Sequence, residues 1–241
     1  MTNKRYAVAN WKSNKSTREA ETWLTSFLAA YRPDPNVQVI IAPSFIALAP
    51  LLRLLKEKGA TRIGLAAQDI SPFPAGSYTG AVTATMLKGL ADYAFVGHAE
   101  RRRYFHETHQ EIANKVSEAA SAGITPILCL DRPYAAAQLA ALAGTDAEKV
   151  IIGYGPVEAI GIDMPQSAQQ VSAAIQEIRA RRPNRPILYG GSVNGENAAG
   201  YMQIEGISGV MAGSASLDPQ EFARICAAVA RGAGVSGLEK S

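Results

Sequence analysis

The 241 residues predict an α/β chain folded as a (β/α)8 barrel, one domain spanning 1–241. Three observations carry this. Short apolar, β-rich runs alternate with longer helical patterns eight times, which implies parallel strands joined by helical crossovers. Several strands are nearly unbroken apolar runs, such as Val37-Gln38-Val39-Ile40-Ile41, as expected when both faces are buried. The length suits a one-domain barrel of about 250 residues. An open doubly wound sheet has the same alternation and stands as the alternative.

In chain order, strand Tyr6–Lys12 leads into helix Thr17–Tyr31, with Ser16 as its cap. Strand Val37–Pro43 leads into Phe45–Lys58, capped by Ser44. Strand Arg62–Asp69 precedes a helical stretch at Gly80–Leu90, and Tyr93–His98 precedes one at Glu107–Ala122. Strand Thr125–Leu130 is followed by Tyr134–Leu142, a short helix, and Lys149–Gly155 by Ser167–Arg181. Strand Pro186–Ser192 is followed by Glu196–Gln203, and Gly209–Gly213 by Pro219–Arg231, capped by Asp218. Gly232–Ser241 reads as a frayed tail.

Hydrophobic residues make up 47% and charged residues 19%, enough for a sizeable core. A net charge of +3 is too small to argue for nucleic acid or a membrane surface, and it is compatible with an anionic small molecule. Cys129 and Cys226 form no CxxC and no framework, so both read as free thiols in a reducing compartment. The first residues are polar, and no apolar run is long enough to cross a bilayer, so the expectation is a cytoplasmic protein without a signal peptide. His98, His106 and His109 have no metal-ligand spacing with the cysteines, and no dinucleotide fingerprint follows a strand. No metal and no cofactor are expected.

In a parallel barrel the active site gathers at the carboxyl ends of the strands. Those ends read Asn10-Trp11-Lys12, Gln68-Asp69, Gly97-His98-Ala99-Glu100-Arg101, Tyr154-Gly155-Pro156, Gly190-Gly191-Ser192 and Gly213-Ser214. Each has an ordinary reading alone: a solvated lysine, a capped structural histidine, turn glycines, and an exposed charged turn for Glu100-Arg101-Arg102-Arg103. Their convergence on one rim points to a site. The loops at 189–193 and 210–214 lack large side chains, so backbone N–H groups can approach a phosphate closely.

The motifs resemble those of the triosephosphate isomerase family over nearly the whole chain. Asn10-Trp11-Lys12 is similar to its Asn-Trp-Lys, and Val96-Gly97-His98-Ala99-Glu100-Arg101-Arg102 to its Val-Gly-His-Ser-Glu-Arg-Arg. Tyr104-Phe105 and Lys115-Val116 continue the agreement. Pro156-Val157 and Ala159-Ile160-Gly161 resemble the start of its mobile lid, and Tyr189-Gly190-Gly191-Ser192-Val193 and Ala215-Ser216-Leu217 its phosphate loops. The resemblance implies a TIM barrel in which a glutamate moves a proton between adjacent carbons of a triose phosphate and a neutral histidine polarises the carbonyl. It makes His98 the electrophile, Lys12 a positive charge near the enediolate and phosphate, and Asn10 a hydrogen-bond donor. It gives the phosphate to the Gly161 N–H with Ser192, Gly213 and Ser214. The implied partners are a small phosphorylated sugar and a second copy of the chain, docked through Gly76–Gly80.

The family's glutamate should follow Tyr154, where this chain has Gly155. Tyr154 on one side and Pro156-Val157 on the other are both in register, so sliding the alignment does not restore it. Glycine cannot accept a proton. Glu158, at the family's lid tryptophan, is the candidate replacement base, or else an exposed lid residue. The family's Thr-Gly-Lys after Gly161 is Ile162-Asp163-Met164, and its second phosphate-loop glycine is Ser214. Its acidic ending after Cys129 is Asp131-Arg132, with a shortened fifth crossover. Its interface glutamate is Ala81, removing a partner for Arg101 of the other subunit, and its asparagine after Gln68 is Asp69. Two functions stay open: an isomerase of a triose or related sugar phosphate, and a sugar-phosphate-binding or regulatory homologue without the chemistry. A barrel deliberately stripped of its base is a third origin for the same pattern.

Overall fold

The structure is a computed structural model that describes residues 4–132, 135–140, 149–156, 166–182 and 184–232. Eight parallel strands close into a barrel in sequence order. They are β1 (Arg5–Asn10), β2 (Val37–Ala42), β3 (Gly64–Ala67), β4 (Tyr93–Val96), β5 (Thr125–Leu130), β6 (Ile151–Tyr154), β7 (Ile187–Tyr189) and β8 (Gly209–Ala212). Closure is direct: β8 pairs with β1, Tyr6 opposite Gly209 and Val8 opposite Met211. A Cβ at Gly209 would lie 2.2 Å from the Tyr6 carbonyl oxygen, so only glycine lets the last strand approach the first. The barrel, not the open sheet, is the architecture.

Successive residues on each strand face opposite ways. Tyr6, Val8, Ile40, Ala66, Phe95, Ile127, Cys129, Ile151, Leu188 and Met211 fill the barrel interior. Their neighbours Ala7, Ala9, Val39, Ile41 and Ile152 face the helix layer. That layer holds α1 (Thr17–Ala30), α2 (Phe45–Glu57), α3 (Ala84–Leu87), α4 (Ala99–Phe105), α5 (His109–Ser121), α6 (Ala135–Ala140), α7 (Ala168–Arg181), α8 (Ala198–Tyr201) and α9 (Pro219–Arg231). The ring of helices is sealed by aromatics where α9 meets α1. Phe222 lies 5.3 Å from Phe27 between ring centroids, and Trp23 stacks on Phe27 at 5.0 Å.

The predicted strands are all present, but several stop short of their predicted carboxyl ends. β1 ends at Asn10 because Lys12 adopts φ 52°, β4 ends before Gly97 at φ 67°, and β7 ends before Ser192 at φ 48°. The backbone leaves the ladder where it turns left-handed, a step that the apolar pattern does not encode. The helix predicted at Gly80–Leu90 is only Ala84–Leu87, and Glu196–Gln203 is only Ala198–Tyr201. Ser16 and Asp218 cap α1 and α9 through side-chain hydrogen bonds, whereas Ser44 occupies the cap position without one. The expected trimming of the fifth crossover falls largely at 141–148, outside the described residues.

The main correction concerns Glu100-Arg101-Arg102-Arg103. This run is not an exposed charged turn but the body of α4, an element the sequence reading omitted. Four charges are ordered around it. Arg101 bonds Glu107 through Nε and Asp69 through NH2 at 3.0 Å, and Lys115 reaches Asp69 at 2.6 Å and Glu107 at 2.5 Å. The network ties the end of β3 to α4 and α5. Arg101, expected to face another subunit, is paired within its own chain.

Candidate functional site

A cavity of about 430 Å³ opens at the carboxyl ends of the strands. Asn10, Lys12, His98, Gly155, Ser192, Gly213 and Ser214 all line it. Glu158 and Gly161 lie outside the described residues.

The β1 corner is built to hold Lys12 in an unfavourable backbone state. A lysine at φ 52° is strained by about 1–3 kcal/mol and persists only if its surroundings hold it. The Lys12 N–H donates to Asn10 Oδ1 at 3.1 Å, and Gln68 Nε2 donates to the Lys12 carbonyl and to that of Ala42, both at 2.9 Å. With its Oδ1 engaged, Asn10 offers a ligand its amide hydrogens. The Lys12 ammonium bonds Glu100 Oε1 at 2.6 Å. It also reaches β8: a Cβ on Gly213 would be 3.9 Å from Lys12 Nζ. Ser192, strained in the same way, is tied through its carbonyl to Asn197 Nδ2 at 2.9 Å.

Gly97 turns the chain out of β4 at φ 67°, which makes His98 the N-cap of α4. Its Nδ1 accepts the Glu100 N–H at 3.3 Å. An Nδ1 that accepts cannot carry the proton, so the neutral ring carries it on Nε2. Burial pushes the His98 imidazole down to about 4; Glu100 opposes this, while Lys12 and Arg102 act with burial. The folded value lies below the unfolded one near 6.5, so the neutral ring's contribution to stability is full above that range and is lost as pH falls toward 4. His98 is therefore expected to stay neutral throughout the physiological range. Imidazole 15N resonances followed through a pH titration check this, and a midpoint near 6.5 for His98 would refute it.

Arg102 also lines the cavity, with NH1 donating to the carbonyls of Gly97 and, at 3.1 Å, Cys129. Cys129 is on the floor, but burial holds its thiol up at about 12, so it is no thiolate at neutral pH. Gln166, the first described residue after Pro156, is held by three tyrosines. Tyr154 Oη donates to the Gln166 side chain at 3.1 Å, the Gln166 N–H donates to Tyr189 Oη at 3.3 Å, and Tyr201 Oη donates to the Gln166 carbonyl at 3.0 Å. Sequence reasoning missed Gln166, Arg102 and the Gln68 brace. Gln68 had a signal, a polar residue ending an apolar strand. The Gln166 anchor had none, because its three tyrosines come from separate elements.

Comparison with known proteins agrees with this geometry. The family model described as triosephosphate isomerase matches residues 5–229. The triosephosphate isomerase of Symbiobacterium thermophilum is 39% identical, covering 92% of this chain and 96% of the relative. That of Thermus thermophilus is 37% identical over 89% of this chain and 94% of its own, and that of Dehalococcoides mccartyi 35% over 91% and 94%.

Proposed function

The chain belongs to the triosephosphate isomerase family, and from that premise we propose that it binds glyceraldehyde 3-phosphate and dihydroxyacetone phosphate, or a close relative, and interconverts them without a cofactor. The observation that supports this is the gathering of His98, Lys12 and Asn10 with Ser192, Gly213 and Ser214 around one cavity. His98 donates from Nε2 to the substrate carbonyl, and a neutral donor suits an oxygen whose charge grows only in the transition state. Lys12 adds positive charge at the same oxygen and Asn10 an amide N–H. Ser192, Gly213 and Ser214, with Gly161 of the lid, hold the phosphate through N–H groups. No redox partner is needed, since one proton leaves the carbon beside the carbonyl and returns to its neighbour.

The proton acceptor is the weak point. Gly155 cannot serve, and Glu158 is the base we assign. The Glu158→Gln variant is then expected to lose turnover while keeping affinity for a phosphate ligand. Undiminished turnover in a coupled dehydrogenase assay would exclude Glu158.

A second reading, a sugar-phosphate-binding protein without the chemistry, is favoured by one observation: among the described residues, no aspartate or glutamate lines the cavity. It predicts affinity without isomerisation. For assembly we propose a homodimer through Gly76–Gly80. Tyr78 of this loop stacks on Phe73 just before it at 4.6 Å, both exposed; Met86 is exposed on the same crossover, and Tyr104 and Phe105 on the next. A monomeric mass in sedimentation equilibrium would remove this. Among the described residues no helix is long and apolar enough to cross a membrane.

A further inference from the structure

Among the described residues, four other than glycine stand at positive φ: Lys12, Lys15, His106 and Ser192. Lys12 and Ser192 line the cavity. His106 ends α4 as its C-cap, a common place for a left-handed residue. Lys15, at φ 69°, has neither explanation. A side chain at such a φ costs backbone energy, and the strain persists only where the surroundings over-determine it. The surroundings of Lys15 are specific. Its ammonium crosses from the loop after β1 to the loop after β8 and donates to the Leu217 carbonyl at 2.9 Å. It also lies 5.5 Å from the centroid of the Trp11 ring, which is fully buried against the cavity. Burial lowers the Lys15 pKa, while Glu19 of α1 and Asp218, the cap of α9, oppose this.

The chain leaves β8 through Gly213 and a short 3-10 helix, Ser214–Leu217. The start of this segment is closed on itself, because Ser216 Oγ donates to the Gly213 carbonyl at 2.6 Å. The loop after β1 meets both of its ends. Lys12 Cε stands 3.6 Å from where a Gly213 Cβ would be, and Lys15 bonds Leu217. Gly213, Ser214 and Leu217 line the cavity, whereas Lys15 does not, so Lys15 acts through the loop and not on a ligand. We propose that Lys15 is a positioning residue for phosphate binding: its bond to Leu217 fixes the loop after β8 before the ligand arrives, with the Gly213 and Ser214 N–H groups set for the anion. The assignment rests on the sugar-phosphate reading of the site and deepens it by naming the residue that orders the phosphate end. A loop already ordered loses less entropy on binding, which raises affinity without any new contact to the ligand.

Lys15→Gly and Lys15→Met separate this role from a purely structural one. Glycine adopts φ 69° without strain, so this variant loses the bond and the strain together. Methionine keeps the stem and the strain but has no N–H to donate. Each full-length variant is titrated with sn-glycerol 3-phosphate by calorimetry, and its thermal unfolding is followed beside the native chain. Both are expected to bind the probe about tenfold more weakly, the scale of one hydrogen bond, while Lys15→Gly unfolds close to the native midpoint. Lys15→Arg still donates to a carbonyl and stacks on an indole, and is expected to keep most of the affinity. If either Lys15→Gly or Lys15→Met binds the probe as the native chain does, the proposal is overturned while the sugar-phosphate reading survives. A midpoint for Lys15→Gly far below the native one also overturns it, since Lys15 would then serve folding and not the loop. If the native chain does not bind the probe, both readings fall together.

Discussion

Gly155→Glu is expected to raise kcat/KM for glyceraldehyde 3-phosphate over the native chain, by about 10²–10⁴-fold, the usual worth of a positioned general base or about 3–5 kcal/mol of barrier, if the native chain works without a base, and by less if Glu158 already serves as one. The position is prepared for it. The Gly155 N–H donates to the Leu130 carbonyl at 3.1 Å, so the residue continues the β5–β6 ladder instead of starting a free loop. It borders the same cavity as His98, Lys12 and Asn10, so a carboxylate there would complete an acid–base pair across the ligand. The native chain, Gly155→Glu and the Gly155→Glu/Glu158→Gln double variant, assayed together, separate the cases. A large rise in both variants means the electrophile and phosphate loops work and Gly155 alone limits the chemistry. A rise that disappears in the double variant makes Glu158 part of the machinery. No rise in either means that the site does not assemble around the substrate even with a carboxylate in place.

Lys115→Met is expected to cost about 3–5 kcal/mol of folding stability, the range for removing one partner of a buried ion pair. The Lys115 side chain is only 4% exposed and lies between Asp69 at 2.6 Å and Glu107 at 2.5 Å. Methionine fills much of the same volume, so the loss is electrostatic and not a cavity effect. Without the ammonium, two buried carboxylates are left with Arg101 alone. Burial already raises the Asp69 carboxyl, and Lys115 is the leading influence that lowers it. In the variant that carboxyl rises further. A raised folded value adds stability below the unfolded value and loses it as pH climbs through the folded one. The deficit should therefore be largest near neutrality and shrink in mild acid. Urea unfolding at both pH values measures it; a loss below about 1 kcal/mol at neutral pH would show that the network is screened. Adding Glu107→Gln should recover part of the loss, because the two changes share partners.

The alternation of eight apolar strands with helical patterns, and the gathering of Asn10, Lys12, His98, Ser192 and Gly213 at strand ends, could be read from sequence because burial and period are local properties. That residue 155, where the resemblance expects the base, is glycine was equally plain, since a residue's identity needs no fold to interpret it. What sequence could not supply was the conformation in which those residues are held. Lys12 and Ser192 stand at positive φ where Asn10, two residues back, Gln68, after β3, and Asn197, five residues on, bond their backbones. The run Glu100-Arg101-Arg102-Arg103 looked like a solvated turn by composition, and became a helix because each of its first three charges finds a partner from β1, β3, β5 or their loops. His98 is expected to be neutral for a related reason: burial lowers its pKa first, with Glu100 opposing and Lys12 and Arg102 adding to it. Patterning along the chain therefore determined the parallel strand–helix alternation and the residues at its strand ends, while the pairing of β8 with β1 chose the closed barrel over the open sheet. The strain, the pairing of charges and the protonation of the histidine depend also on tertiary contacts, because Gln68 on Lys12, Lys12 on Glu100 and His98, and Asp69 on Arg101 are far apart in sequence and meet only when the barrel closes.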